Sequence, residues 1–153
     1  MKLATKVKIT INNKPWIAMR RRLTRSDARM IDVGWWGSRH PSGVPTAQVA
    51  AWNEEGHMNG GMFAGTRTPP RPFIRVGFYK EIRPLLQSRI VHGVNLIAQG
   101  RKTWTTFYRE LGNDLVDLMK EQILEWEKPP NRPSTVEMKG FNDPLIETGA
   151  LYD

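Results

Sequence analysis

Glu54, Glu55 and His57 stand within four positions of one another, just ahead of a run containing Gly60, Gly61 and Gly65. Two carboxylates and an imidazole at that spacing can hold a divalent cation or share a proton in acid–base work. Neither chemistry is completed nearby. The chain is expected to break from helix to loop at Gly56, no fourth ligand follows, and HExxH, CxxC and EF-hand patterns are absent. The remaining histidines are His40, in a loop, and His92, on the polar flank of a helix. Ser26, Ser38, Ser42, Ser88 and Ser134 lack the adjacent base and orienting group that a nucleophile needs. Gly56-His57-Met58-Asn59-Gly60-Gly61 matches neither a phosphate loop nor a dinucleotide fingerprint. The residues predict no catalysis, no cofactor and no metal.

Charge is more informative. Net charge is +8, and residues 1–30 account for all of it, with nine Lys/Arg against one Asp; the rest holds 14 of each sign. The excess centres on Arg20, Arg21, Arg22, Arg25 and Arg29. Such a cluster suits nucleic acid or an acidic protein surface, and it also suits a solvated edge. Trp16, Trp35 and Trp36 lie close by in sequence. Arginines with aromatics stack on bases, whereas tryptophans in strand-like segments fill a core or anchor an interface. No DNA-reading helix is apparent, so unspecific contact with a duplex is the nucleic-acid expectation.

These residues must be positioned by one domain, because 153 residues suffice for a single core. Cysteine is absent, so neither disulfides nor thiolate metal sites hold the fold, which fits a reducing compartment. No stretch resembles a signal peptide or a membrane span, and no membrane partner is expected. Lys6–Ile11 alternates polar and apolar, as a half-buried strand does. Asn12–Pro15 reads as a turn, Trp16–Met19 as a short strand, and Met30–Trp36 as another with Ile31, Val33 and Trp35 on one face. Thr46 is placed to cap a helix over 47–55, ended by Gly56. Residues 57–67 form a flexible loop, and Arg71–Val76 an edge strand or extended arm. Two long helices follow. Tyr79 to about Gln99 aligns Ile82, Leu86, Ile90, Val94 and Ile97, with Pro84 confined to the first turn. The second, capped by Thr105 or Thr106, runs to about Trp126 with Leu111, Leu115, Leu118, Met119, Ile123 and Trp126 on one broad face. Beside them Glu110, Asp114, Asp117, Glu121 and Glu125 form an acidic stripe, either solvated or facing cations on a neighbouring subunit. The expected class is α+β: a small antiparallel or mixed sheet packed against two long helices. Residues 1–128 make the domain, and 129–153 a proline-rich extended C-terminal arm with one helical turn near Ser134 and apolar anchors at Phe141, Leu145 and Ile146.

Three motifs then carry a resemblance. Ala50-Ala51-Trp52-Asn53-Glu54-Glu55-Gly56 resembles an A-x-x-x-E-x-G helix end, and Pro69-Pro70-Arg71-Pro72-Phe73-Ile74-Arg75 resembles a P-x-R-P-F-L/I-R stretch leading to a long helix. Residues 129–151 resemble P-P-N-x-P-x-T-x-x-x-K-G-x-x-x-P-L-I-D-T-G-x-L. In this order they resemble tailed-bacteriophage head–tail joining, neck and tail-completion proteins. The loop at 57–67 is longer and richer in glycine than in compact members, and relatives continue into a strand beyond the position of Leu151.

The resemblance implies a structural virion protein without catalysis or cofactor. It implies a homo-oligomeric, hexameric ring at the neck that joins head and portal to tail around the DNA channel, or else a tail-terminator ring. Adjacent neck, portal-adaptor and tail proteins are the implied partners, with unspecific contact to genomic DNA and assembly in the host cytoplasm. The matching positions Glu54, Gly56, Arg71, Pro72, Phe73, Pro144, Leu145, Thr148 and Gly149 are implied to be structural or interfacial. Interface or channel candidates are Arg20, Arg21, Arg22, Arg25, Glu54, Arg71, Phe73, Phe141, Leu145 and Ile146. A nucleic-acid-binding module built on the basic N-terminal region is the alternative.

Overall fold

The computed structural model describes residues 12–25, 30–61 and 64–152. Among them are six α-helices and one short antiparallel ribbon. In chain order the elements are α1 (Lys14–Thr24), α2 (Thr46–Glu55), β1 (His57–Met58), β2 (Arg67–Thr68), α3 (Phe73–Gly77), α4 (Arg83–Ala98), α5 (Trp104–Leu124) and α6 (Pro133–Lys139). A π-helical turn, Phe78–Ile82, joins α3 to α4. His57 pairs with Thr68 and Met58 with Arg67. A small antiparallel sheet packed against helices, two of them long, is the α+β class expected from the sequence. The Lys6–Ile11 strand expected from alternation lies outside the described residues.

Local physics explains the departures. Trp16–Met19 is helical, not a strand. Pro15 sits in the first turn of α1 with its φ already helical, and the Asn13 carbonyl accepts the Ile17 N–H at 3.0 Å. Ala, Met, Leu and Arg favour helix, and a four-residue apolar run is too short to outweigh them. Met30–Trp36 keeps its alternation, with Ile31, Val33 and Trp35 half-buried between exposed neighbours. It forms no ladder among the described residues; Trp35 packs against the first apolar cluster and Ile31 against the second. Arg71–Val76 is not an edge strand, because α3 starts at Phe73. Pro84 lies in the first turn of α4, as its missing N–H requires. The Arg83 N–H reaches back five residues to the Phe78 carbonyl, so the helix widens just ahead of the proline. The cap of α5 is Thr103 rather than Thr105 or Thr106; its Oγ1 accepts the Thr106 N–H at 3.2 Å.

Two apolar clusters hold the helices. Ala50, Phe73, Ile123, Leu145 and Leu151 form one, flanked by Trp35, Met119 and Trp126. Ile97, Phe107 and Leu111 form the other, flanked by Leu23, Ile31 and Trp104. The long helices approach closely at Gly93, where an added Cβ would lie 2.2 Å from the Phe107 ring. Of the face expected on α4, Ile82 and Ile97 are buried and Ile90 is exposed.

Residues 129–152 settle where the closing segment goes. Ser134 lies in α6, which ends at Gly140 in the left-handed region. The chain then turns back, and Leu145 and Leu151 enter this subunit's own core, 5% and 7% exposed. The Trp35 indole N–H donates to the Leu151 carbonyl at 2.9 Å. Leu145 packs against Ala50, Phe73 and Ile123 of its own subunit. Ile146 is half-buried, and Phe141 is exposed beneath the Lys139 ammonium.

Candidate functional site

The three motifs meet in space at Glu54 and Arg71. Gly56 ends α2 at φ +73, and a Cβ there would lie 2.8 Å from the Thr68 carbonyl and the Pro70 nitrogen, so the chain reverses tightly at a residue without a side chain. The reversal carries the chain through the β-ribbon and back beside α2, where the Arg71 N–H donates to the Asn53 carbonyl.

Glu54, buried on the last turn of α2, faces the start of α3. Its Oε2 accepts the Ile74 N–H at 2.9 Å, and its Oε1 accepts the Arg75 N–H at 3.1 Å and the Arg75 Nε at 3.0 Å. A carboxylate twenty residues upstream thus satisfies the first free N–H groups of α3 and lies at the positive end of that helix. Both oxygens are occupied, so Glu54 does not converge with Glu55 and His57 on a common ligand. Among the described residues no group of three or more His, Cys, Asp or Glu side chains gathers around a metal position.

Arg71 is 6% exposed. Its Nη1 donates to the Pro144 carbonyl at 3.0 Å and to Asn53 Oδ1 at 3.4 Å. Its Nη2 donates to Asn131 Oδ1 at 3.0 Å, and its Nε to the Pro129 carbonyl at 3.3 Å. All these acceptors are neutral. Burial lowers the pKa of the guanidinium below its ordinary value, and the group still remains charged because that value is so high. The planar fork ties α2 to the two ends of the closing segment. Phe73, two residues on, is 1% exposed and meets Trp35 edge to face.

Beside this junction lies a cleft of about 570 Å³. The β-ribbon, α6 and the turns at 147–151 wall it. Trp52 and His57 stack at one side, 5.4 Å between centroids. Arg67, Arg71, Arg132 and Lys139 line it, with one carboxylate, Glu147. Lys139 donates its ammonium to the Asp143 carbonyl at 2.8 Å and to the Ile146 carbonyl. Burial first, and the Arg71 charge after it, lower the Lys139 pKa, while Glu147 and Asp143 oppose the shift.

The arginine run is divided by the fold. Arg22 Nη1 donates to the Ala98 carbonyl at 3.1 Å, and its own carbonyl accepts the Trp104 indole N–H at 2.9 Å. Arg22 thus places a positive charge at the negative end of α4 and fastens α1 to the connection between the long helices. Arg20, Arg21 and Arg25 are exposed. The acidic stripe on α5 is divided too: Asp114 pairs with Arg89 and Glu110 with Lys102, while Asp117, Glu121 and Glu125 are exposed.

Asn53, Asn131 and Lys139 were not among the sequence candidates, although all three lie within the quoted motifs. Their polar atoms gain a role only once the closing segment folds back, as when Asn131 Nδ2 reaches the Asp143 carbonyl. No described helix is long and apolar enough to cross a membrane. No family model, no curated protein and no solved structure matches the chain.

Proposed function

We propose that the chain is a structural virion protein that forms a homo-oligomeric ring at the phage neck, joining the head and portal to the tail around the DNA channel. The carrying observation is that the three motifs behind the resemblance converge on one junction, with Arg71 bonded to Pro144 and to Asn53 beside Glu54. Residues so used hold a fold together and leave the outer surfaces for assembly. Two further features support the reading. Trp16 and Ile17 on α1, Tyr79 in the π-turn and Val91 on α4 are exposed by half or more of their surface, apolar area that suits burial between subunits. Exposed arginines on α1 and exposed carboxylates on α5 suit a head-to-tail contact in which different faces meet.

Sedimentation velocity followed by averaging of negatively stained particles tests this. Closed rings, sixfold by the resemblance, are the expected result. A monomer at every concentration, with and without the neighbouring neck proteins, is the result against it. A tail-terminator ring has the same assembly physics; binding to the tail tube rather than to the portal side identifies it.

The exposed Arg20, Arg21 and Arg25 favour one second reading, a module that grips duplex DNA through its phosphates. Its mark is an affinity for random-sequence duplex that falls linearly in log–log form with salt. A monomer with that behaviour selects this reading over the ring.

A further inference from the structure

We propose that the cleft between the β-ribbon and α6 binds an acidic peptide segment of another protein. Arg71 and Lys139 line it, one buried and one half-buried. Both are held by neutral oxygens alone. Arg71 has the carbonyls of Pro129 and Pro144 and two Asn side chains; Lys139 has the carbonyls of Asp143 and Ile146. Among the described residues neither belongs to an ion pair. A desolvated cation bonded only to neutral oxygens is costly; this describes Arg71, while at Lys139 burial and the Arg71 charge are partly offset by Glu147 and Asp143. Arg67 and Arg132 add exposed positive charge at the rim, against Glu147 in the lining and Asp143 beside Lys139. An anion in the cleft supplies the counter-charge that Arg71 lacks and is attracted by Arg67 and Arg132. The volume accommodates a ligand well beyond a single ion.

The lining selects a peptide over a nucleotide. The Trp52 face toward His57 is already stacked and closed to a nucleobase. The side-chain amide of Asn59, a natural reader of base edges, is engaged by Thr66 and Thr68. Val49 and Met138 lie among the cations, which suits a segment carrying both acidic and apolar side chains. Residues 1–11 of this chain contain three lysines and no acid, so the occupant is not this chain's own leading segment. The assignment does not depend on the ring: it holds or fails for the isolated subunit.

The test is an NMR titration of the full chain with a hexapeptide alternating glutamate and leucine. Amide shifts are expected at 57–68, 130–139 and 147–151, with an affinity that drops about tenfold in Arg132→Glu and in Arg67→Glu. Both positions are exposed, and an unchanged unfolding midpoint verifies that each variant is folded. The lysine–leucine hexapeptide is expected to leave these amides in place. No shift with the acidic peptide, shifts elsewhere, or equal binding by folded variants overturns the proposal. A single-stranded oligonucleotide that moves the same amides at lower concentration overturns the choice of peptide.

Discussion

Arg71 and Pro144 are bonded directly across 73 positions of sequence, the Arg71 Nη1 donating to the Pro144 carbonyl at 3.0 Å. The contact makes the closing segment part of the fold, because the same guanidinium also holds Pro129, Asn131 and Asn53. Replacing Arg71 with Ala leaves two main-chain carbonyls and two side-chain amides without their donor. An unsatisfied buried group costs about 1–3 kcal/mol, so a loss of about 3 kcal/mol is expected, with Arg71→Lys intermediate because an ammonium cannot reproduce the fork. The urea midpoint, with the m-value constant, measures it. An Arg71→Ala midpoint equal to the parent's contradicts the clasp.

Glu54 makes a second long-range tie, and its charge and its shape can be separated. Glu54→Gln keeps an oxygen for one N–H of α3 but places an amide where two further donors point. Loss of a charged cap at a helix start is expected to cost about 1–2 kcal/mol, more than the exposed Arg75 contact alone accounts for. Arg75→Ala is accordingly expected to cost less than about 1 kcal/mol. If the two variants unfold at the same denaturant concentration, the backbone N–H groups are not the main partners of Glu54.

The contrast between legible and illegible parts follows from the range of the forces. The long helices were legible because their apolar period repeats over several turns, and Leu111 and Ile123 of the expected face are indeed buried. The alternation at Met30–Trp36 was legible as a burial pattern but not as a sheet, since period two says which side chains turn inward and not what they meet. The start of α3 was illegible, because its cap is Glu54, twenty residues away. The site divides in the same way. Glu54, Arg71 and Phe73 stood out by type and motif, whereas Lys139 and Asn131 acquire partners only through a chain reversal that no local window contains. Arg22 was legible as a charge and illegible as the group that closes the end of α4.

Leu145 tests the reversal itself. It is 5% exposed and packs with Ala50, Phe73 and Ile123. Leu145→Ala in this setting is expected to cost about 2–5 kcal/mol. Truncation after Lys128 removes Leu145, Leu151 and three of the oxygens that hold Arg71, and the truncated chain is expected to lose its cooperative thermal transition by circular dichroism. A truncated chain that retains the parent transition, and loses only assembly, returns the segment to the role of a docking arm.

Gly93 offers a test of the contact between the long helices. An alanine there brings its Cβ to 2.2 Å from the Phe107 ring, and the ring is held among Ile97, Leu111 and Trp104. Overpacking of this kind typically costs about 1–3 kcal/mol. Glycine is the poorer helix former by about 1 kcal/mol, so the same substitution in open space would stabilise α4. The sign of the change therefore decides the matter. A Gly93→Ala variant that unfolds at lower denaturant concentration, and recovers part of the loss when Phe107 is shortened to Leu, confirms that helix spacing is set at this pair. A variant more stable than the parent means that α4 and α5 separate there at little cost.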